Sequence, residues 1–309
     1  MARVLITGGA GFIGSHLTET LVRRGDEVRV LDNFSTGSPK NLAGLEYKFE
    51  LVQGDLRNRR DVQAAVSKIE LIFHQAAFVS VPRSIENPRE CYEINVNGTI
   101  ELLEAARQAG VRRVVLASSA AVYGSTEELP QSETAPTVCL SPYAASKQFN
   151  ETLAKLYSLS HQLPAVALRY FNVYGPRQSP NSAYAAVVPQ FIKRLKAGQA
   201  PLVFGDGRQT RDFIYISDVV RANLLAAEAE GAAGQVFNIC SGAETSLLDL
   251  LAALTPMFPS APQAEFADPR PGDVSRSMGD PSLANKALGF RTAVSVAEGL
   301  GHCVSEWRE

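Results

Sequence analysis

The sequence predicts an α/β protein, a doubly wound parallel sheet carrying a smaller, discontinuous C-terminal lobe. Three observations predict it. Short, continuously apolar runs alternate with amphipathic segments over the first two-thirds of the chain, the pattern of strands buried on both faces and the helices that cover them. A glycine-rich turn joins the first apolar run to the first helical segment. Beyond Asn172 the pattern loosens into the polar stretches "YGPRQSPNSAYAA", "GDGRQTRD" and "ADPRPGD". The predicted division is 1–172, with 212–242 returning to it, for the sheet domain. Residues 173–211 and 243–309 form the second lobe, placed against the carboxyl edge of the sheet, where such sheets bind ligands.

The elements follow in order. "RVLIT" (3–7) reads as a strand leading into the helix "FIGSHLTETLVRR", and "EVRVLD" (27–32) as the next strand. "KFELVQ" precedes a polar helix over 58–68, and "ELIFH" (70–74) precedes a long helical pattern from about Pro88 to Ala109. "RRVVLASS" (112–119) precedes a helix starting near Tyr143, and "PAVALRYF" (164–171) and "QVFNIC" (235–240) are later strands. No repeat or low-complexity segment interrupts them.

Composition narrows the classes of function. With 45% hydrophobic and 20% charged residues among 309, the chain can bury an extensive core. A net charge of −2 gives no electrostatic reason to expect nucleic acid or an anionic membrane as a partner. Cys91, Cys139, Cys240 and Cys303 lie far apart and read as reduced thiols rather than a disulfide framework. The opening "MARVLITGGAGFIGSH" has neither the apolar run nor the cleavage pattern of a signal sequence, and no stretch is long enough to span a bilayer. The expectation is a cytoplasmic protein. His16, His74, His161 and His302 show no metal-ligand spacing, so no metal is expected.

"TGGAGFIGSH" places Gly8, Gly11 and Gly14 in a strand–turn–helix context that lets backbone N–H groups approach a pyrophosphate, the Rossmann dinucleotide turn. Asp32, ending the second strand, is placed to accept from the adenosine ribose hydroxyls. Its charge repels a 2′-phosphate, and "DNFSTG" supplies no arginine to receive one, so the reading is NAD rather than NADP. Asp55 in "GDL" can bond the adenine amino group or, alternatively, cap the helix that follows. In "SPYAASK", Tyr143 and Lys147 share a helix face one turn apart. A nearby ammonium, with the positive charge of oxidised nicotinamide, is expected to lower the pKa of the phenol, and Ser119 can bridge that phenol and a substrate hydroxyl.

The set "TGGAGFIG", "GDL", "HQAA", "INVNGT", "SSAAVYG", "YAASK", "RYFNVYGPRQ", "GDGRQTRDFIYISDVV" and "RPGDV" resembles the extended short-chain dehydrogenase/reductase family, and in detail its NAD-dependent nucleotide-sugar epimerases. The resemblance runs from about Arg3 to beyond Asp280. It implies a catalytic trio of Ser119, Tyr143 and Lys147, and cofactor contacts from Gln75, Ala76, Ala77 and Tyr170. Asn95 would brace the site or serve packing alone. With Phe12 and Ile13 in the turn, Asn33, Ser35 and Gly37 after the second strand, Leu56 beside Asp55, and Ser118, these make up the candidate cofactor set.

Asn172, Arg211 and Arg270 would hold a nucleoside diphosphate. Bidentate guanidinium contacts suit a pyrophosphate, although pairing of these arginines with Asp212 or Asp273 is the competing reading. Gln209 is placed to reach the ribose, and Phe204 to stack on uracil or to serve the core. Ser80, Arg83, Val187, Val188, Asp273 and Ser277 complete the candidate substrate set. The resemblance also implies a homodimer through the helices near 88–109 and 143–160, which could instead be simply buried against their own sheet.

Ala120 and Ala121 select among the chemistries of the scaffold. Family dehydratases carry an Asp-Glu pair here, and decarboxylases typically a glutamate at the position of Ala121. A methyl group moves no proton, so oxidation and re-reduction at one carbon remain, which is epimerisation. The expected reaction is 4-epimerisation of a UDP-hexose through a 4-keto sugar. "SVPRS" and the small Ser277 favour UDP-GlcNAc/UDP-GalNAc, with UDP-Glc/UDP-Gal also turned over. Arg83 or Arg177 beside that space keeps a UDP-glucuronate 4-epimerase or decarboxylase as the alternative. From another class, a catalytically silent dinucleotide sensor is opposed by the presence of both Tyr143 and Lys147.

Overall fold

The computed structural model describes residues 1–45, 48–126, 128–180, 186–269 and 274–307. The chain runs β1 (Arg3–Thr7), α1 (Phe12–Arg24), β2 (Glu27–Asp32), β3 (Glu50–Gln53), α2 (Arg59–Val66), β4 (Leu71–His74), α3 (Val81–Glu86), α4 (Pro88–Tyr92), α5 (Gly98–Gln108) and β5 (Arg113–Ser119). It continues with α6 (Pro142–Ser160), β6 (Ala165–Tyr170), β7 (Asn172–Tyr174), α7 (Val187–Lys196), β8 (Leu202–Phe204), β9 (Thr210–Arg211), β10 (Phe213–Tyr215) and α8 (Ile216–Glu228). Then come β11 (Val236–Ile239), β12 (Thr245–Ser246), α9 (Leu247–Leu254), β13 (Glu265–Ala267), α10 (Ser282–Leu288) and α11 (Val296–Ser305).

Seven strands form one parallel sheet in the order β11-β6-β5-β4-β1-β2-β3. Alternate side chains of a strand face opposite sides. Val4 and Ile6 accordingly enter the core under α1 and α8, while Leu5 enters the opposite core with Val62 of α2, Leu102 of α5 and Leu153 of α6. β4 and β6 are buried along their whole length, hence their unbroken apolar character. The first of these cores continues without a break into the second lobe through Val188, Phe191, Leu250 and Leu300.

Register decides which residues meet. Thr7 lies opposite Leu31 and His74, His74 opposite Leu116, and Ser119 opposite Tyr170. The ends of β1, β2, β4, β5 and β6 therefore share one edge, the edge at which the motifs cluster. The long helix expected over 88–109 is interrupted: between α4 and α5, Glu93–Asn97 form a π turn. The inserted turn leaves apolar periodicity almost unchanged, which is why the sequence hides it, and it brings Asn95 into the interior at 1% exposure.

His74 ties this edge together. The Thr99 hydroxyl donates to the Asn95 carbonyl at 2.6 Å, so it accepts from His74 Nε2 at 2.9 Å; Nδ1 then accepts from the Thr7 hydroxyl at 2.7 Å. Burial, with the Lys147 charge adding to it, pulls His74 down to about 3, and burial pulls His16 down to about 4, from an ordinary 6.5. Both bind a proton more weakly folded than unfolded, so their stabilisation is complete above pH 6.5 and is lost as acid drives pH toward 4 and 3. The expected slope in that window is at most about 1.4 kcal/mol per pH unit for each histidine. Urea unfolding measured from pH 7 to 4 tests it, and a His74→Gln variant should show a shallower slope than the parent.

Candidate active site

The glycine turn is built by close approach. A Cβ on Gly14 would stand 2.1 Å from the Gly8 carbonyl oxygen, and one on Gly8, at φ +69°, 2.7 Å from the Ala76 amide nitrogen. α1 has no side-chain N-cap, so the N–H groups of Phe12, Ile13 and Gly14 open at the turn without helical acceptors. Asp32 is 7% exposed; one oxygen accepts from Ala10 N–H at 2.9 Å and the other from Phe34 N–H at 2.8 Å. The loop behind it folds onto the same turn: Ser38 N–H donates to Ala10 O at 3.0 Å, Gly37 packs on Ala10, and Ser35 N–H closes on the Asn33 side chain at 3.0 Å.

Asp55 does not cap α2. Asn58 does, accepting from Arg60 N–H, while Asp55 takes the Arg57 guanidinium at 2.7 Å and the Asn33 amide at 2.9 Å. Arg57 is the chief reason that the Asp55 carboxyl lies far below its usual range. Leu56 spends its side chain in the core. The Gln75 amide donates to the Tyr170 hydroxyl and to Asn223, both at 3.1 Å, and Tyr170 donates to Asn223 at 3.0 Å. Asn223, from α8, escaped the sequence reading; its signal is a lone amide on the buried face of an apolar helix. Gln75 Oε1 is left as a buried acceptor with no protein partner. A cradle that a single Cβ would fill, open helix N–H groups and an unmatched buried acceptor together fit a dinucleotide.

Ser119, Tyr143 and Lys147 come together beyond the end of β5. α6 starts as its sequence dictates, with Ser141 as N-cap and Pro142 in the first turn. The Ser119 side chain stands by the Tyr143 hydroxyl and favours its ionised form. Lys147, 4% exposed, donates from Nζ to the Ala117 carbonyl at 2.9 Å and stands 5.9 Å from the Tyr143 ring centre. The expected lowering of the phenol pKa is not what the protein's own groups produce. Burial pushes Tyr143 up, and the neighbouring Ser119 only partly offsets this; burial also brings Lys147 down to about 8. Desolvation penalises both charged forms, and the ammonium is tied to a carbonyl rather than to the phenol.

Ser118 turns the other way, donating to Glu151 at 2.5 Å. Ala120 and Ala121 form a 3₁₀ turn whose Ala121 N–H bonds the Ser119 side chain at 3.2 Å. Asn95 commits its amide to both main-chain groups of Phe78, at 2.7 and 3.0 Å, and to Ser146 at 2.9 Å, so that it joins the loop at Phe78 to α6. Ala77 is partly exposed beside this loop.

The substrate candidates are spread over short ribbons. Ser80 caps α3, and Arg83 is exposed with its guanidinium 5.2 Å from the Phe78 ring centre. Arg177, read as a possible carboxylate ligand, is instead paired with Glu19 of α1. The Asn172 amide donates to the Asp212 carbonyl at 3.2 Å. Asp212 directs its carboxylate at the N–H groups of Ser241, Gly242 and Gly279, so the Arg211–Asp212 pairing does not form; Arg211 bonds the Thr210 carbonyl at 2.8 Å. Gln209 donates to Phe204 O at 2.7 Å and leaves Oε1 buried without a partner, while Phe204 is half-buried. Val187 and Val188 open α7, with the Val188 side chain in the core, and Ser277 is half-buried. Arg270 and Asp273 lie outside the described residues. Among the described residues no group of three or more His, Cys, Asp or Glu could hold a metal ion, and no helix is long and apolar enough to cross a membrane.

Comparison with known proteins agrees with this geometry. Residues 4–240 match the model of the NAD dependent epimerase/dehydratase family. The chain is 41% identical over 311 residues to a UDP-glucose 4-epimerase of Mycolicibacterium smegmatis, covering 99% of this chain and 98% of that one. A UDP-N-acetylglucosamine 4-epimerase from Methanobrevibacter ruminantium, solved with UDP-N-acetylmuramic acid, superposes with a TM-score of 0.93 at 34% identity and 99% coverage of both chains. A UDP-glucuronic acid 4-epimerase from Bacillus cereus, solved with UDP-glucuronic acid and NAD, gives 0.90 at 31% identity and 98% coverage of both. The chain belongs to the NAD dependent epimerase/dehydratase family, and its cofactor is NAD.

Proposed function

We propose that this protein is a UDP-sugar 4-epimerase acting on UDP-GlcNAc/UDP-GalNAc and on UDP-Glc/UDP-Gal. One observation carries the reading: Tyr143 and Lys147 stand one helical turn apart, 5.9 Å from ammonium to ring centre, beside Ser119, on whose following turn Ala120 and Ala121 offer methyl groups and no second acid or base. When bound, NAD supplies a hydride acceptor and donor and a positive charge that favours phenolate. Tyr143 takes the proton of the sugar 4-hydroxyl, with Ser119 orienting that hydroxyl, and returns it after the 4-keto sugar has presented its other face. Lys147 holds positive charge beside the phenol while the proton is away. Gln209, Arg211 and Asn172, with Arg270, grip the UDP half so that only the sugar turns.

The small, half-buried Ser277 leaves room for an N-acetyl group. Arg83 favours a second reading, UDP-glucuronate, because it is exposed and has no acidic partner among the described residues. Initial rates on UDP-Glc, UDP-GlcNAc, UDP-glucuronate and UDP-xylose, each with product identified, decide it. Interconversion of UDP-GlcNAc and UDP-GalNAc at the highest kcat/KM is expected. Exclusive turnover of UDP-glucuronate, or loss of CO₂ from it, would sink the assignment.

The protein is also read as a homodimer. Tyr92 on α4 and Phe149, Leu156 and Leu159 on α6 are exposed apolar side chains, the last at 74%, and those on α6 recur at coiled-coil spacing. Four unpaired thiols fit a reducing cytoplasm.

A further inference from the structure

Tyr143 is the second residue of α6, where a helix leaves its first N–H groups without internal acceptors. Pro142 has none to satisfy. Ala144 N–H goes to the Ser141 hydroxyl at 3.1 Å and Ala145 N–H to the Ser141 carbonyl at 3.0 Å, both local. The Tyr143 N–H goes 59 residues away, to Ser84 Oγ at 3.2 Å. Ser84 is fully buried and donates its own proton to the Val81 carbonyl at 2.6 Å, which aims an oxygen lone pair at Tyr143.

The carbonyl of the same residue is held as well. Ser146 Oγ donates to Tyr143 O at 2.7 Å, and Asn95 donates to Ser146 Oγ at 2.9 Å. One pin on the tyrosine backbone thus comes directly from the 78–95 stretch; the other, Ser146 of α6 itself, is held by Asn95 of that stretch, which also fixes the loop at Phe78 that leads to Ser80 and Arg83. A capped helix needs only Ser141. The long-range bond from Ser84 adds position: it fixes the first turn of α6, which carries the phenol, against α3.

We propose that Ser84 is a positioning residue for Tyr143, its hydroxyl acting with the Asn95–Ser146 bridge to set where the phenol stands relative to Ser119 and Lys147. This rests on Tyr143 being the proton carrier. The groups facing the phenol are Ser119 from the end of β5, Lys147 on its own helix and Cys91 from α4. Misplacement by about an ångström takes the phenol away from Ser119 and Lys147 and costs up to about a hundredfold in rate.

The test compares Ser84→Ala, Ser84→Thr, Ser146→Ala, Ser141→Ala and Tyr143→Phe as NAD-loaded enzyme. Ser84→Ala is expected to lower kcat by about ten- to a hundredfold with KM and bound NAD unchanged. Its kcat–pH profile should move to higher pH, because a phenol displaced from Ser119 and Lys147 loses neighbours that favour phenolate. Ser84→Thr should restore most of both, and Ser146→Ala should move the profile the same way, carrying the test if Ser84→Ala does not fold. Ser141→Ala, which removes only a cap, should lower the melting temperature and leave the profile in place. A parental kcat and pH profile in Ser84→Ala, with Tyr143→Phe inactive, overturns this inference alone. The same follows if Ser84→Ala and Ser141→Ala lose equal activity with no shift. An active Tyr143→Phe overturns it together with the functional reading.

Discussion

Tyr143→Phe is expected to retain bound NAD and to lose roughly 10²–10⁴-fold in kcat. The ring stays, so the packing of α6 against the strand end survives; what disappears is the phenol oxygen beside Ser119, the group proposed to carry the sugar proton. No neighbour can replace it. Ala120 and Ala121 are methyl groups, His74 is neutral and consumed by two threonines, and Lys147 is tied to the Ala117 carbonyl. The measurement is kcat together with the NAD content of the purified variant. Turnover within a few-fold of the parent would refute the role given to Tyr143.

Glu151→Ala is expected to remove about 3–5 kcal/mol of stability. Glu151 and Arg169 form a bidentate pair at 2.8 Å through both oxygens, with side chains only 7% and 6% exposed. Burial works against the Arg169 charge, yet the carboxylate outweighs it and holds the guanidinium above its ordinary value. Arg169 also donates to the Tyr123 hydroxyl at 2.8 Å, and Tyr123 donates to Asn238 at 2.7 Å. Truncating Glu151 leaves a buried cation unpaired and orphans Ser118 next to Ser119. The double variant Glu151→Leu, Arg169→Met should recover much of the loss, since it is the unmatched charge that costs most. Urea denaturation of the three proteins decides the matter; a Glu151→Ala midpoint equal to the parent's excludes a structural role for the pair.

Much of the sheet was legible. The first two strands fall at 3–7 and 27–32 as their apolar runs suggest, and the glycine turn, Asp32 and the start of α6 lie where their local chemistry requires. These features are encoded by nearest neighbours: burial on both faces, a close approach only glycine allows, a serine cap before proline. The short ribbons of the second lobe left little trace, because strands of two or three residues have no period to detect.

The sequence by itself determined the doubly wound sheet, the dinucleotide turn and the set Ser119, Tyr143 and Lys147, since each is written in adjacent residues. Only the tertiary structure decided what holds them: the π turn that buries Asn95, the bond from Ser84 to Tyr143, the Gln75–Tyr170–Asn223 triangle and the Glu151–Arg169 pair. It also showed that burial among the protein's own groups, taken without the nicotinamide charge, pushes the Tyr143 phenol up. The reason is physical. A lone polar residue in an apolar run has no readable partner until the chain folds, and desolvation, which depends on everything packed around a group, outweighs the charges that happen to lie near it in sequence.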